Sequence, residues 1–218
     1  MRSVLVFLAV AAGCATDEEP TPAPVITAIE PEAICSNDRV FVGIRGDGFI
    51  VDDDHTVKSV VELWRNGRRD AAKIPMLEPD RDGGSMTLLF QNGELGPASS
   101  EPPVVFEVRV VNPDGQYAIH QNSFSIHTNM GFGPISPTTA SAGSVVTMGL
   151  AGNGFYGPLQ VMIETMVPTF ATEVRVTSPT TATATIDLSG VDPGTYAVTV
   201  RNAGRCSYTR VSAFTVTP

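Results

Sequence analysis

Four residues around one short turn carry the side-chain chemistry best suited to a ligand. Trp64 is the single tryptophan of the chain, and Arg65, Arg68 and Arg69 flank the Asn66-Gly67 pair beside it. An indole offers a flat apolar face, and guanidinium groups offer forked donors for an oxyanion, so this tip suits a sugar ring or an anionic glycan. Alternation with Val61 and Leu63 facing inward puts Trp64 on the outer face of its strand. The competing reading packs the indole beneath the neighbouring loops.

A second cluster is acidic. Asp47, Asp52, Asp53 and Asp54 crowd one segment, and a hard cation such as calcium wants several carboxylate oxygens. The spacing lacks the alternation, central Gly and distal Glu of an EF-hand loop, so a solvated acidic loop is the preferred reading. No other metal site is expected. His55, His120 and His127 do not stand at ligand spacing with one another or with a cysteine.

Catalytic signatures are weak. Gly152-x-Gly154-x-x-Gly157 has the letters of a dinucleotide fingerprint, but Pro158 and the alternating Leu159, Val161, Ile163 follow it where a helix N-terminus would have to face the phosphates. No Gly-x-Ser-x-Gly elbow occurs. The chain is therefore expected to be no enzyme and to need no cofactor. Arg45-Gly46-Asp47 spells an adhesion tripeptide, yet the matching positions of a second copy read Ala151-Gly152-Asn153, so a structural turn accounts for the glycine.

The elements that must carry these residues repeat. Gly43-Ile44-Arg45-Gly46-Asp47-Gly48-Phe49 matches Gly149-Leu150-Ala151-Gly152-Asn153-Gly154-Phe155, and Val40, Val42, Ile44 match Val146, Met148, Leu150, all 106 positions on. Phe106, Val108, Val110, Asn112 then match Tyr196, Val198, Val200, Asn202, only 90 positions on. The shorter offset means the first copy holds extra residues between these anchors, in part across 91–103, as expanded surface loops. Strands are predicted near 25–29, 39–45, 57–65, 68–74, 85–90, 104–112 and 121–127, and near 134–136, 144–150, 159–165, 170–177, 181–188, 194–202 and 211–217. Asn66-Gly67 reads as a tight hairpin turn. Seven short strands, twice and without helical periodicity, predict an all-β protein of two tandem immunoglobulin-like sandwiches, spanning 24–128 and 131–218, with 129–130 between them.

Each copy resembles an IPT/TIG domain. The resemblance rests on the opening Pro24-Val25-Ile26-Thr27-Ala28-Ile29-Glu30-Pro31 or Gly133-Pro134-Ile135-Ser136-Pro137, on the strand ending in Gly-x-Gly-Phe, and on the later Val-x-Val-x-Asn with its Gly turn and final Phe strand. The first copy departs from it at Ile34-Cys35-Ser36-Asn37-Asp38, where a Ser-Gly-Gly type of turn is usual. The resemblance implies an early-set sandwich with a habit of extracellular binding or spacing, and no particular ligand.

The N-terminus predicts location. Arg2 and the apolar run Val4 to Ala12 read as a leader over 1–13, too short for a bilayer span of about 20 residues. Ala11-Ala12-Gly13-Cys14 is similar to a lipobox, which implies acylation of Cys14 and an anchored mature chain. Acidic, Pro-rich 14–23 has little to bury and forms the tether. Ala15 after the anchor favours an outer membrane. The partners expected are thus the membrane, through the N-terminal lipid, and an envelope protein or a glycan. Nucleic acid is not expected, because 14 basic residues stand against 23 acidic ones for a net −9.

With Cys14 lipidated, Cys35 and Cys206 are the remaining thiols of an exported chain, where oxidation is favoured. Cys35 falls between the first two strands, at the end where the chain leaves its domain. Cys206 falls between the last two strands of the second copy, at the end where the chain enters. A bridge between domains, two free thiols and an intermolecular link are the three alternatives. The function expected is a lipid-anchored surface module for adhesion, presentation or glycan binding. A spacer or assembly subunit is the second reading, and an uncharacterised hydrolase the third.

Overall fold

The computed structural model describes residues 22–51, 58–70, 76–77, 82–91, 95–97 and 101–218. The leader, Cys14, most of the tether, Asp52, Asp53, Asp54, His55 and much of the expanded loops lie outside these residues.

Every described regular element is a strand. In the first half these are β1 (Val25–Glu30), β2 (Ala33–Cys35), β3 (Val40–Asp47), β4 (Val60–Arg65), β5 (Arg68–Arg69), β6 (Met76–Leu77), β7 (Ser85–Phe90), β8 (Val104–Val111) and β9 (Tyr117–His127). The second half holds β10 (Gly131–Ser136), β11 (Thr139–Ser141), β12 (Val145–Asn153), β13 (Leu159–Ile163), β14 (Thr169–Phe170), β15 (Glu173–Ser178), β16 (Thr181–Asp187), β17 (Gly194–Asn202) and β18 (Ser207–Thr217).

They form two sandwiches built alike. A four-stranded sheet β1-β3-β7-β6 faces a five-stranded sheet β2-β9-β8-β4-β5, and β10-β12-β16-β15 likewise faces β11-β18-β17-β13-β14. Within each sheet the side chains alternate, so one face is apolar and closes on its partner sheet. The first core gathers Ile44, Met86, Phe90, Phe106, Phe124 and Ile126, and the second gathers Met148, Phe155, Ile163, Ile186, Val198 and Phe214. These are two tandem immunoglobulin-like β-sandwiches.

The repeated Gly-x-Gly-Phe motif has a steric origin. A Cβ on Gly46 would collide with the Val25 carbonyl and the Phe49 ring, and one on Gly152 with the Gly131 carbonyl and the Phe155 ring. The first glycine thus lets the opening strand cross close while the phenylalanine tucks beneath it. Phe49 and Phe155 are accordingly buried. Asn112 then closes the first domain from within: its Nδ2 donates to the Gly48 carbonyl at 2.9 Å, and its Oδ1 accepts from Ser59 Oγ at 2.6 Å. Asn112 and Ser59 are fully buried, so each hydrogen bond satisfies a group that water cannot reach.

The structure departs from the expected strands in several places: among others, β10 begins at Gly131 and β18 at Ser207, ahead of the expected 134 and 211, and the expected 170–177 strand divides into β14 and β15. Three-residue strands β2 and β11 were not anticipated; each leaves its opening strand at a proline, Pro31 or Pro137, and pairs in parallel with the last strand of its domain. Cys35 therefore ends a strand instead of lying in an open connection. β9 begins at Tyr117, four residues before the expected 121, and β4 begins at Val60, not 57. The expected 68–74 strand is paired only at Arg68 and Arg69, and 71–75 lie outside the described residues.

The link between domains is also tighter than an exposed linker. Thr128 and Met130 are 2% and 7% exposed, Gly131 already belongs to β10, and Met130 joins the second core. Cys35 and Cys206 are bonded across this junction, with Cα atoms 4.9 Å apart. Gly204 packs so close that a Cβ there would lie 2.6 Å from both the Ile34 carbonyl oxygen and the His127 Cβ.

Candidate functional site

The outer face of the five-stranded sheet in the first domain carries the candidate site. Strand alternation sends Leu63 into the core at 3% exposure and leaves Val60, Glu62 and Trp64 on the outside. Pairing then sets their neighbours: Trp64 lies opposite Glu107, Glu62 opposite Arg109, and Val60 opposite Val111. On the far side Arg109 meets Ile119 and Val111 meets Tyr117.

Arg109 is the hub of this face. Its guanidinium sits 3.8 Å from the Trp64 ring centre and 5.7 Å from that of Tyr117, while its Nε bonds Glu107 Oε1 at 2.6 Å. The Trp64 indole N–H donates to Glu62 Oε2 at 2.8 Å, and the other Glu62 oxygen pairs with Arg69 at 2.9 Å. Each such contact at a surface adds about 0.5–1 kcal/mol or less, so the ladder's effect is to fix side-chain positions. Around it Val60, Val105, Tyr117 and Ile119 stay exposed, four of the large apolar side chains left open to solvent in this domain. The result is an aromatic and cationic platform in an apolar setting.

The hairpin tip comes together as Trp64, Arg65, Arg68 and Arg69, with Asn66 and Gly67 both at positive φ, 51° and 72°. Arg65, Asn66, Arg68, Arg69 and Asp70 line an open depression of about 650 Å³. Its charge is more balanced than the sequence suggested, because Arg65 pairs with Asp70 at 3.5 Å and Arg69 with Glu62. Sequence reasoning missed Glu62, Glu107, Arg109 and Tyr117. The alternation of 104–111 put Glu107 and Arg109 on the outer face, but only the cross-strand register sets them against Trp64.

The other expected residues sit elsewhere. Asp47 ends β3, and its Oδ1 accepts the Gly48 N–H at 2.9 Å; its three acidic companions lie outside the described residues. Among the described residues no three His, Cys, Asp or Glu side chains converge as metal ligands. Arg45 pairs with Glu30 at 3.2 Å, and the Arg45-Gly46-Asp47 segment is a paired strand, not a loop tip. His127 is buried at the domain junction. Its Nε2 lies 3.2 Å from Ser125 Oγ, its Nδ1 has no partner among the described residues, and burial lowers its pKa below the ordinary histidine value.

No family model and no curated protein matches the chain. Solved structures similar to it include the plexin A4 extracellular region, at 13% identity and TM-score 0.39 over 93% of this chain and 19% of that one. A titin I-band fragment, I67–I69, gives 15% identity and TM-score 0.38 over 90% of this chain and 66% of that one. The N-terminal eight Ig domains of Down Syndrome Cell Adhesion Molecule give 16% and 0.36 over 87% and 27%. The chain spans about a fifth of the plexin region it matches. The fold assignment stands on the strand order and register described above.

Proposed function

We propose that this chain is a non-catalytic binding and presentation module of the cell envelope, anchored by lipid at Cys14, that engages an envelope protein through the outer face centred on Arg109. The Trp64–Arg109–Tyr117 stack carries this reading. Tryptophan, tyrosine and arginine are the residues that dominate binding energy at protein interfaces, and here they stand together, rigidly held, among exposed Val60 and Ile119. Charge supports the same reading. On a chain of net −9 the face is nearly neutral, with Glu62, Asp70 and Glu107 set against Arg65, Arg69 and Arg109, so a protein surface meets little long-range repulsion there.

A glycan is the second reading, favoured by the aromatic and cationic side chains at the hairpin tip. Capture from the native envelope with wild type and with a Trp64→Ala, Tyr117→Ala double variant tests the proposal, alongside a glycan array. The expected result is a defined protein partner lost in the variant while its circular dichroism stays unchanged. Retention of that partner by the variant, or binding to glycans alone, overturns it.

A further inference from the structure

The turn between β17 and β18 keeps the backbone bonding of its counterpart in the first domain but changes the residue at its left-handed position, which puts Arg205 in a pocket with Arg201 of β17. In the first domain Asn112 to Gln116 closes with Gly115 N–H donating to Asn112 O at 2.9 Å and Asn112 N–H to Gln116 O at 2.8 Å. Asn202 to Cys206 repeats both bonds, Arg205 to Asn202 and Asn202 to Cys206, each at 3.0 Å. The turn needs a left-handed residue at its fourth position. Gly115 supplies it at φ 87°, whereas the second domain has Arg205 there at φ 64°. A residue with a Cβ is strained in that conformation, and strain of this kind gathers at functional positions.

The side chain has company. Arg205 lines a pocket of about 300 Å³ with Pro158, Gln160, Arg201, Asn202 and Ala203. Gln160 and Arg201 are cross-strand partners in the β13–β17 pair, so an amide and a guanidinium are presented side by side. Among the described residues no carboxylate lies within ion-pair distance of Arg201 or Arg205; Arg39, Arg68, Arg175 and Arg210 also lack one, but none of these lines this pocket. What distinguishes Arg201 and Arg205 is that the two guanidinium groups share one concavity. The backbone is also held in place, since Cys206 is bonded to Cys35 and Gly204 is pressed against His127.

We propose that Arg201 and Arg205, with Gln160 as an additional donor, form a subsite for a phosphate or sulfate monoester. Forked guanidinium donors match the oxygens of such a group, and an amide supplies a neutral donor beside them. The site lies in the second domain and is independent of the Arg109 face.

Two-dimensional NMR titration of the full-length, oxidised protein with glucose 6-phosphate, inorganic phosphate and glucose tests this. The expected result is saturable shifts of the Asn202 and Arg205 amides with glucose 6-phosphate and none with glucose. Affinity should fall at least tenfold in Arg205→Gly and in Arg201→Gln. Equal affinity for inorganic phosphate assigns the site to a free oxyanion; tighter binding of glucose 6-phosphate assigns it to a sugar-borne one. Arg205→Gly restores the residue used by the first domain, so its melting temperature should rise as binding is lost. Two results overturn the proposal: no saturable binding by wild type to either phosphate, or unchanged affinity in Arg205→Gly.

Discussion

His127 shows how one side chain can make the junction sensitive to acid. It is 5% exposed, its Nδ1 has no partner among the described residues, and burial disfavours the imidazolium. Its folded pKa is therefore depressed below the unfolded value of about 6.5, and the unfolded state binds the proton more readily. Stability from this residue is fully present above about pH 6.5 and is lost as pH falls toward the folded pKa. Denaturant unfolding of wild type should show falling stability between pH 6.5 and pH 5, a loss that His127→Gln removes. A variant with the same pH slope would place the titration elsewhere. His127 gave no such signal in the sequence, since Gly204, which packs against it, belongs to the other domain, 77 positions away.

Elements were legible where alternation ran long enough to show a face. β3, β8, β12, β16 and β17 each extend over seven to nine residues, and their inward positions follow the period of two. β2 and β11 have three residues each, too few for a pattern, and their partners are the strands that end each domain. The same reason hid the Trp64 ladder: outward residues could be picked strand by strand, but the register joining Glu62 to Arg109 is a long-range fact. The Gly-x-Gly-Phe repeat was visible as letters, and the structure gives it a cause that can be measured. Gly152→Ala should cost roughly 3 kcal/mol, because the new methyl meets backbone at Gly131 and Phe132 that cannot move without parting β10 from β12. Gly149→Ala, whose nearest neighbour would be the Ser136 carbonyl at 3.7 Å, should stay within about 0.5 kcal/mol. Equal losses at the two sites would remove the steric account of the motif.

At the scale of the molecule, the bond between Cys35 and Cys206 joins positions 171 residues apart, a loop whose closure is worth about 5 kcal/mol in the chain-entropy model. It has a second consequence for a chain pulled by its two ends. Tension entering at Pro22 passes through β1 and β2 to Cys35, crosses to Cys206, and leaves along β18. Everything between the two cysteines, which includes nearly all of both cores, is bypassed. The bond thus acts as a mechanical shunt that withholds about 580 Å of contour, at about 3.4 Å per residue, from extension. In optical tweezers the oxidised protein should yield only the short stretches outside the bond. Adding reductant should release the sandwiches as long steps, so a tethered protein of this design would report the redox state of its surroundings as a change in length under load.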